Sequence, residues 1–371
     1  MSYIFVSPGK YIQGKGLLGQ IAEYTDSLGK KPFILLSAGG MKRFGDIVEK
    51  SFKSQGVKPV LQVFGGECTE KEIQHQAEIA AKEACDYAIG IGGGKVTDTA
   101  KFVAWRQNLP TVVCPTIAAT DAPTPGRAVL YSEEGVSLKT YQLPRNPELV
   151  LVDAEVIAKA PVRLLVSGMG DALATRFETA ACLKTSSKNP AGGYTTVAGA
   201  SLAEACYKTL IRYGAQAKQD AMKKECTLAV ERIVEVNTLL SGLGFESGGL
   251  ASAHAINKGL THIKDCDAYY HGEKVAFGTL CQLIMEDQPQ ELIDEVFSFC
   301  KSVGLPTTLE EIGLSDQETE KLQQAAAVAA DPAGHTKNEP FKVTADMVYQ
   351  AMLKVNETGH SMPMVNYPGN E

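Results

Sequence analysis

Short apolar runs alternate with amphipathic stretches through the first half of the chain. PFILLSA (32–38), PVLQVF (59–64), YAIGIGGG (87–94) and PTVVCPT (110–116) are each bounded by Gly, Pro or polar residues and predict strands. Between them, DIVEKSFKSQG (46–56) and EKEIQHQAEIAAKEA (70–84) carry apolar residues at helical spacing. This order predicts a parallel sheet covered by helices on both faces, a Rossmann-like α/β domain. RAVLYSEEGVSLKTYQ (127–142) predicts a hairpin turning at Glu134-Gly135, and LVLVDAEVI (149–157) one more strand.

After Pro161 the texture changes. VRLLVSGMGDALATRFETAACL, TTVAGASLAEACYKTLIRYG and CTLAVERIVEVNTLLSGLG are long helical patterns, as are the segments around 250–262, 270–286 and 344–357. The expected division is an α/β domain over 1–161 and an all-helical domain over 162–371. A cleft where the two meet is the expected ligand site.

Composition narrows the functional classes. The net charge of −7 argues against a nucleic-acid-binding surface. No apolar run approaches the ~20 residues that span a bilayer, and MSYIFVSPGKYIQGKG lacks the pattern of a signal peptide. The nine cysteines are scattered, odd in number and never spaced CxxC. That predicts small buried thiols in a reducing cytoplasm rather than a disulfide framework.

YAIGIGGGKVTDTAKFVA runs from a strand through Gly92, Gly93 and Gly94 into a helix. Consecutive glycines let backbone approach a ligand, and a helix start suits a phosphate. Lys95 and Val96 break the common dinucleotide and P-loop patterns, so the turn reads as a pyrophosphate cradle of another type. CPTIAATDAPTPG (114–126) follows a strand end, where ligands of open α/β sheets bind, and offers Thr116, Thr120 and Asp121.

The stretch 253–278 holds His254, His262 and His271, half of the six histidines. His254 and His271 are too far apart for a single-helix site and would have to come from consecutive helices, while His262 falls off the His254 face. Asp171, among small and apolar residues in VSGMGDALATRFE, is an acid of the kind seldom buried unless paired or bound to a metal. Two histidines and an aspartate suit Zn²⁺, and equally Fe²⁺, with a position open for water or substrate.

Together, SPGKYIQG, FGGEC, GIGGGKVTDTAK, PTIAATDAP, GDALATRFE, GFESGGLASAHAINKGLT and YYHGEKVAFGTL resemble the metal-dependent polyol dehydrogenases of the iron-containing alcohol dehydrogenase superfamily. The resemblance covers almost the whole chain. It implies a nucleotide-binding α/β domain followed by a helical, dehydroquinate synthase-like domain. It further implies oxidation of glycerol or a related vicinal diol to a hydroxyketone, with hydride passing to NAD. Asp171, His254 and His271 match the family's metal ligands, and the lack of a further histidine ligand favours zinc. The implied cofactor-binding set is Ser37, Gly92, Gly93, Gly94, Lys95, Asp98, Thr116, Ala119, Pro125, Arg127 and Tyr131; Asp121 and His271 match the residues nearest the reacting polyol.

Some positions depart from the family. Ser37 stands where these enzymes usually place an acid against the ribose 2′-hydroxyl, and Lys42 and Arg43 lie nearby, so NADP stays open beside NAD. Ala119, Pro125 and Arg127 replace Ser, Ser and an aliphatic residue. Other readings are a relative acting on 1,2-propanediol, 2,3-butanediol or glycerol-1-phosphate, and a non-catalytic nucleotide-binding module. A homo-oligomer, often a ring of eight in the family, is the implied assembly.

Overall fold

Leu36 and Ile91 face each other at the carboxyl ends of two neighbouring strands, at the centre of a six-stranded parallel sheet. The computed structural model describes residues 1–363. Its strands are β1 (Tyr11–Gly14), β2 (Pro32–Leu36), β3 (Val60–Val63), β4 (Tyr87–Gly92), β5 (Thr111–Pro115), β6 (Arg127–Tyr131), β7 (Ser137–Gln142) and β8 (Leu149–Asp153). The sheet order is β1-β8-β5-β4-β2-β3, and β6-β7 form a separate antiparallel hairpin with Gly135 at positive φ in its turn.

Alternation along β2 sends Ile34 and Leu36 to one face and Phe33 and Leu35 to the other. The first pair packs with Val48, Phe52, Ile89 and Ile91, the second with Ala77, Ala80, Val103 and Ala104. The covering helices are α1 (Ile21–Thr25) and α2 (Ala38–Ser54) on one side, α3 (Glu70–Lys82) and α4 (Gly94–Gln107) on the other; α5 (Ala154–Ala158) follows β8. Burial of each such Ile or Phe contributes about 1.5–3 kcal/mol.

Two expected elements have different limits. The helix read from 46 begins at Ala38, because the Ser37 hydroxyl accepts the Gly40 N–H at 3.0 Å and caps α2. The strand read over 149–157 stops at Asp153, whose carboxylate accepts the N–H groups of Glu155 and Val156 and starts α5. The same carboxylate also accepts from Gly16 and Leu18, tying α5 to the first turn of the domain.

The chain divides into two compact units, and the sheet unit comprises Val6–Ala160 with Lys224–Cys226. The other begins at Pro161 and is helical: α6 (Val162–Thr185), α7 (Val197–Met222), α8 (Leu228–Glu235), α9 (Ser241–Gly248), α10 (Ser252–Leu260), α11 (His271–Met285), α12 (Gln290–Val303), α13 (Thr319–Ala329) and α14 (Ala345–Ser361). Met1–Phe5, expected with the α/β domain, belong instead to this unit. Ile4 N–H donates to the Tyr194 carbonyl and Asn189 Nδ2 to the Ile4 carbonyl, which anchors the first residues there.

Helix α6 is buried almost all round from Leu165 to Cys182, the mark of a core helix. It packs on α7, α9 and α11. A π-turn over Val236–Leu240 joins α8 to α9, and there Asn237 Nδ2 donates to the Leu165 carbonyl of α6. All nine cysteines are free, and all but Cys226 are buried. No helix of the described residues is long and apolar enough to cross a membrane.

Candidate metal centre and nucleotide turn

Asp171 lies midway along α6, His254 in the first turn of α10, and His271 is the first residue of α11. The Nε2 atoms of His254 and His271 lie 3.4 and 3.3 Å from Asp171 Oδ1. One ligand atom from each of the three residues lies within 4.8 Å of the others. His262 sits on the surface with Nδ1 2.8 Å from the Lys258 carbonyl and does not join them.

Glycines bring these elements together. A Cβ on Gly272, next to His271, would lie 1.7 Å from the Ser167 carbonyl oxygen, and one on Gly170, next to Asp171, 2.2 Å from the Gly272 carbonyl oxygen. Helices α6 and α11 therefore meet backbone to backbone. A Cβ on Gly278 would lie 2.4 Å from the Ala253 carbonyl oxygen, so α11 approaches α10 as closely beside His254.

His254 is aimed by a buried acid. Its Nδ1 lies 2.6 Å from Glu178 Oε2, which favours a proton on Nδ1 and turns Nε2 toward Asp171, where it can take up a cation or a second proton. Glu178 Oε1 accepts the backbone N–H groups of Ala251 and His254 at 2.8 and 2.9 Å. His271 is held less directly: its Nδ1 is 3.3 Å from Asn257 Nδ2, and its side chain is 41% exposed against 15% for His254.

Burial works against charge at Asp171, yet the two imidazoles outweigh it and hold the carboxyl well below the usual carboxylate range. Burial likewise disfavours the His254 imidazolium, but Glu178 and Asp171 raise that ring well above its ordinary value. The cluster thus attracts positive charge, and protons or a divalent cation would meet that demand. Two imidazole nitrogens and one carboxylate oxygen, with one imidazole oriented by a second carboxylate, fit Zn²⁺ or Fe²⁺ with a position left for water or substrate.

In the sheet unit, β4 runs through Gly92 and Gly93 into α4. A Cβ on Gly92 would lie 2.7 Å from the Val96 Cβ and one on Gly93 2.9 Å from the Ile117 side chain, whereas one on Gly94 would meet nothing within 4 Å. The first two glycines serve the tight turn; the space over Gly94 is open to a ligand approaching the start of α4. Lys95 pairs with Glu67 Oε2 and lies 5.0 Å from the Tyr131 ring centroid. Thr116 N–H donates to the Gly92 carbonyl at 3.0 Å.

The loop carrying Ala119, Asp121, Pro125 and Arg127 is fixed from below by Lys101. This buried ammonium donates to the carbonyls of Ala122, Pro125 and Arg127 at 2.6, 3.0 and 3.0 Å. Asp98, 4.0 Å from Lys101, accepts the Val129 N–H through Oδ2 at 2.9 Å, and burial raises its pKa to about 6. Asp98 therefore faces the interior and holds β6 and the loop. Ser37 follows β2 and Gly93 follows β4, so the two flank the point where the strand order reverses.

Residues 8–154 match the family described as iron-containing alcohol dehydrogenase. The glycerol dehydrogenase of Thermotoga maritima is 44% identical over 361 residues, covering 95% of this chain and 97% of that one. The chain belongs to the iron-containing alcohol dehydrogenase family. The glycolaldehyde reductase of Halobacterium salinarum is 42% identical to this family member over 97% of this chain and 98% of its own. The crystal structure of glycerol dehydrogenase from Schizosaccharomyces pombe superposes with a TM-score of 0.92 at 37% identity, covering 97% of this chain and 91% of that one.

Residue patterns alone left Glu178, Lys101, Asn257 and Glu67 unassigned. Glu178 carried a signal, since it follows Asp171 by two helical turns and so shares its face. Lys101 carried a weaker one, a charge three residues after Asp98 in an otherwise small and apolar helix.

Proposed function

We propose that this family member oxidises glycerol and related vicinal diols to hydroxyketones, glycerol giving dihydroxyacetone, with NAD as hydride acceptor. The observation that carries the reading is the convergence of Asp171, His254 and His271, with Glu178 fixing the His254 tautomer. Near-full-length similarity to glycerol dehydrogenases supports the substrate. We assign zinc as the ion, since three nitrogen and oxygen donors with an open fourth position are its usual catalytic set. Held by these residues, the ion supplies the Lewis acidity that makes a diol hydroxyl acidic near neutral pH.

The chain's own residues do the rest. Gly94 and the first turn of α4 receive the pyrophosphate, with Lys95 beside them. Lys101 and Asp98 keep the loop of Ala119, Asp121, Pro125 and Arg127 in one conformation, which orients the nicotinamide end of the cofactor. Thr116 and Tyr131 complete the cofactor-binding set. Asp121 takes the part of accepting the hydroxyl proton, and His271 acts beside it by holding the ion through Nε2. Similarity to a glycolaldehyde reductase favours a second reading, reduction of a hydroxyaldehyde on the same residues.

The test is absorbance at 340 nm with glycerol, 1,2-propanediol and 2,3-butanediol against NAD and NADP. It is run before and after chelation and again with Zn²⁺ or Fe²⁺ restored, with glycolaldehyde and NADH in the reverse direction. Glycerol-dependent NAD reduction, lost on chelation and restored by Zn²⁺, is the expected result. Absence of turnover with every diol and with glycolaldehyde, despite bound metal, would overturn the reading.

A further inference from the structure

His271 presents a problem that His254 does not. Its ring nitrogen Nδ1 has only the 3.3 Å contact to Asn257, and its side chain is 41% exposed, yet its Nε2 sits 3.3 Å from Asp171. Something other than a strong ring hydrogen bond must set its direction.

The backbone at the start of α11 is gripped from α6. Glu273 Oε2 accepts the Tyr270 N–H at 2.7 Å, closing the helix start around His271. The same carboxylate takes Arg163 in a bidentate grip, Nε to Oε1 at 2.6 Å and Nη2 to Oε2 at 2.8 Å. Nη2 also reaches the Ala268 carbonyl at 3.2 Å, and the guanidinium lies 4.8 Å from the Tyr270 ring centroid. Arg163 thus binds the end of the 3-10 turn Lys264–Ala268, the cap and the first turn that carry His271.

We propose that Arg163 and Glu273 are positioning residues for the metal centre, setting the approach of His271 to Asp171. Helix α6 then aims all three ligands: Asp171 is its own, Glu178 orients His254, and Arg163 orients His271 through Glu273. A half-exposed ion pair of ordinary kind would add little to stability. This one is bidentate and attached to a helix cap, and its effect falls on direction. The inference rests on the metal reading above.

The experiment is competition for Zn²⁺ between the full-length protein and a chromophoric chelator, with Tm and steady-state kinetics on the same samples. R163M is expected to weaken Zn²⁺ binding by about tenfold or more, the usual cost of losing an outer partner of a ligand. It should lower kcat at limiting zinc and leave the KM for NAD unchanged. R163K, which keeps the charge without the fork, should fall between R163M and the parent. E273Q retains an acceptor for the Tyr270 N–H while weakening the hold on Arg163, and carries the test should R163M fail to fold. Parent-like zinc affinity in folded R163M or E273Q, with only Tm reduced, overturns the proposal. A parent that binds neither Zn²⁺ nor Fe²⁺ overturns the metal reading itself, and this inference with it.

Discussion

The Nδ1 atom of His254 lies 2.6 Å from Glu178 Oε2, a carboxylate wholly sealed from solvent. Replacing that acid by Gln removes the charge that favours Nδ1–H. Glu178→Gln is expected to lower metal affinity and turnover about 10–100-fold. His254→Ala should abolish turnover while leaving the chain folded. Rates measured in zinc-buffered solution decide both, and near-normal turnover of His254→Ala in chelator would sink the metal assignment.

Gly272→Ala places a methyl group where the Ser167 carbonyl oxygen now stands, at 1.7 Å. Neither backbone can yield without parting α6 from α11. Overpacking of this kind costs about 1–3 kcal/mol and sometimes more. The variant should melt several degrees lower and bind zinc more weakly, read by calorimetry and zinc titration. An unchanged Tm would mean that the two helices can separate freely.

Lys101→Met removes the donor that three loop carbonyls share. Loss of the buried bond to the Pro125 carbonyl alone costs about 1–3 kcal/mol. Affinity for NADH should fall while zinc affinity stays at the parent value, since the lysine belongs to the sheet unit. Fluorescence titration of NADH measures the first and chelator competition the second. Equal loss of both would point to general unfolding instead.

The Ser37 hydroxyl caps α2 at the strand-order switch point. Ser37→Asp keeps a capping acceptor and adds a carboxylate that repels a 2′-phosphate. The ratio of kcat/KM for NAD to that for NADP should rise. If the parent already rejects NADP as strongly as Ser37→Asp does, the serine is not what sets the choice.

Glu339 accepts the Ser252 N–H at the start of α10, and burial, reinforced by Glu286, raises its pKa from 4.5 to about 8. Between those values the folded chain holds a proton that the unfolded chain has released. Its contribution to stability is therefore full below about pH 4.5 and declines as pH rises toward 8. Glu339→Gln cannot ionise, so its Tm relative to the parent should rise between pH 5 and pH 8. A constant difference over that range would show that the group is already ionised in the fold.

The sheet was legible because β2, β4 and β8 are buried on both faces and therefore read as unbroken apolar runs. β1 escaped notice because YIQG is four residues of mixed polarity at an edge. The start of α2 was hidden because Ala38, Gly39 and Gly40 carry no apolar period; only the Ser37 cap announces it. In the helical unit, residue chemistry singled out Asp171, His254 and His271, but their grouping rested on resemblance rather than spacing. Gly170, Gly272 and Gly278 could not be interpreted locally, since their meaning lies in backbone far away along the chain. Lys101 was opaque for the same reason: its partners are carbonyls, which every residue has.

Helix α6 also restricts how the chain can change in length. Arg163, Asp171 and Glu178 act from one helix on its two neighbours α10 and α11. One residue inserted or deleted among them would turn the later positions by about 100° and shift them by about 1.5 Å. Substitutions along this segment can be absorbed one contact at a time, whereas a single-residue insertion would break several contacts at once. Loops at the ends of the helices can vary in length, but the interval from Arg163 to Glu178 has to keep its count.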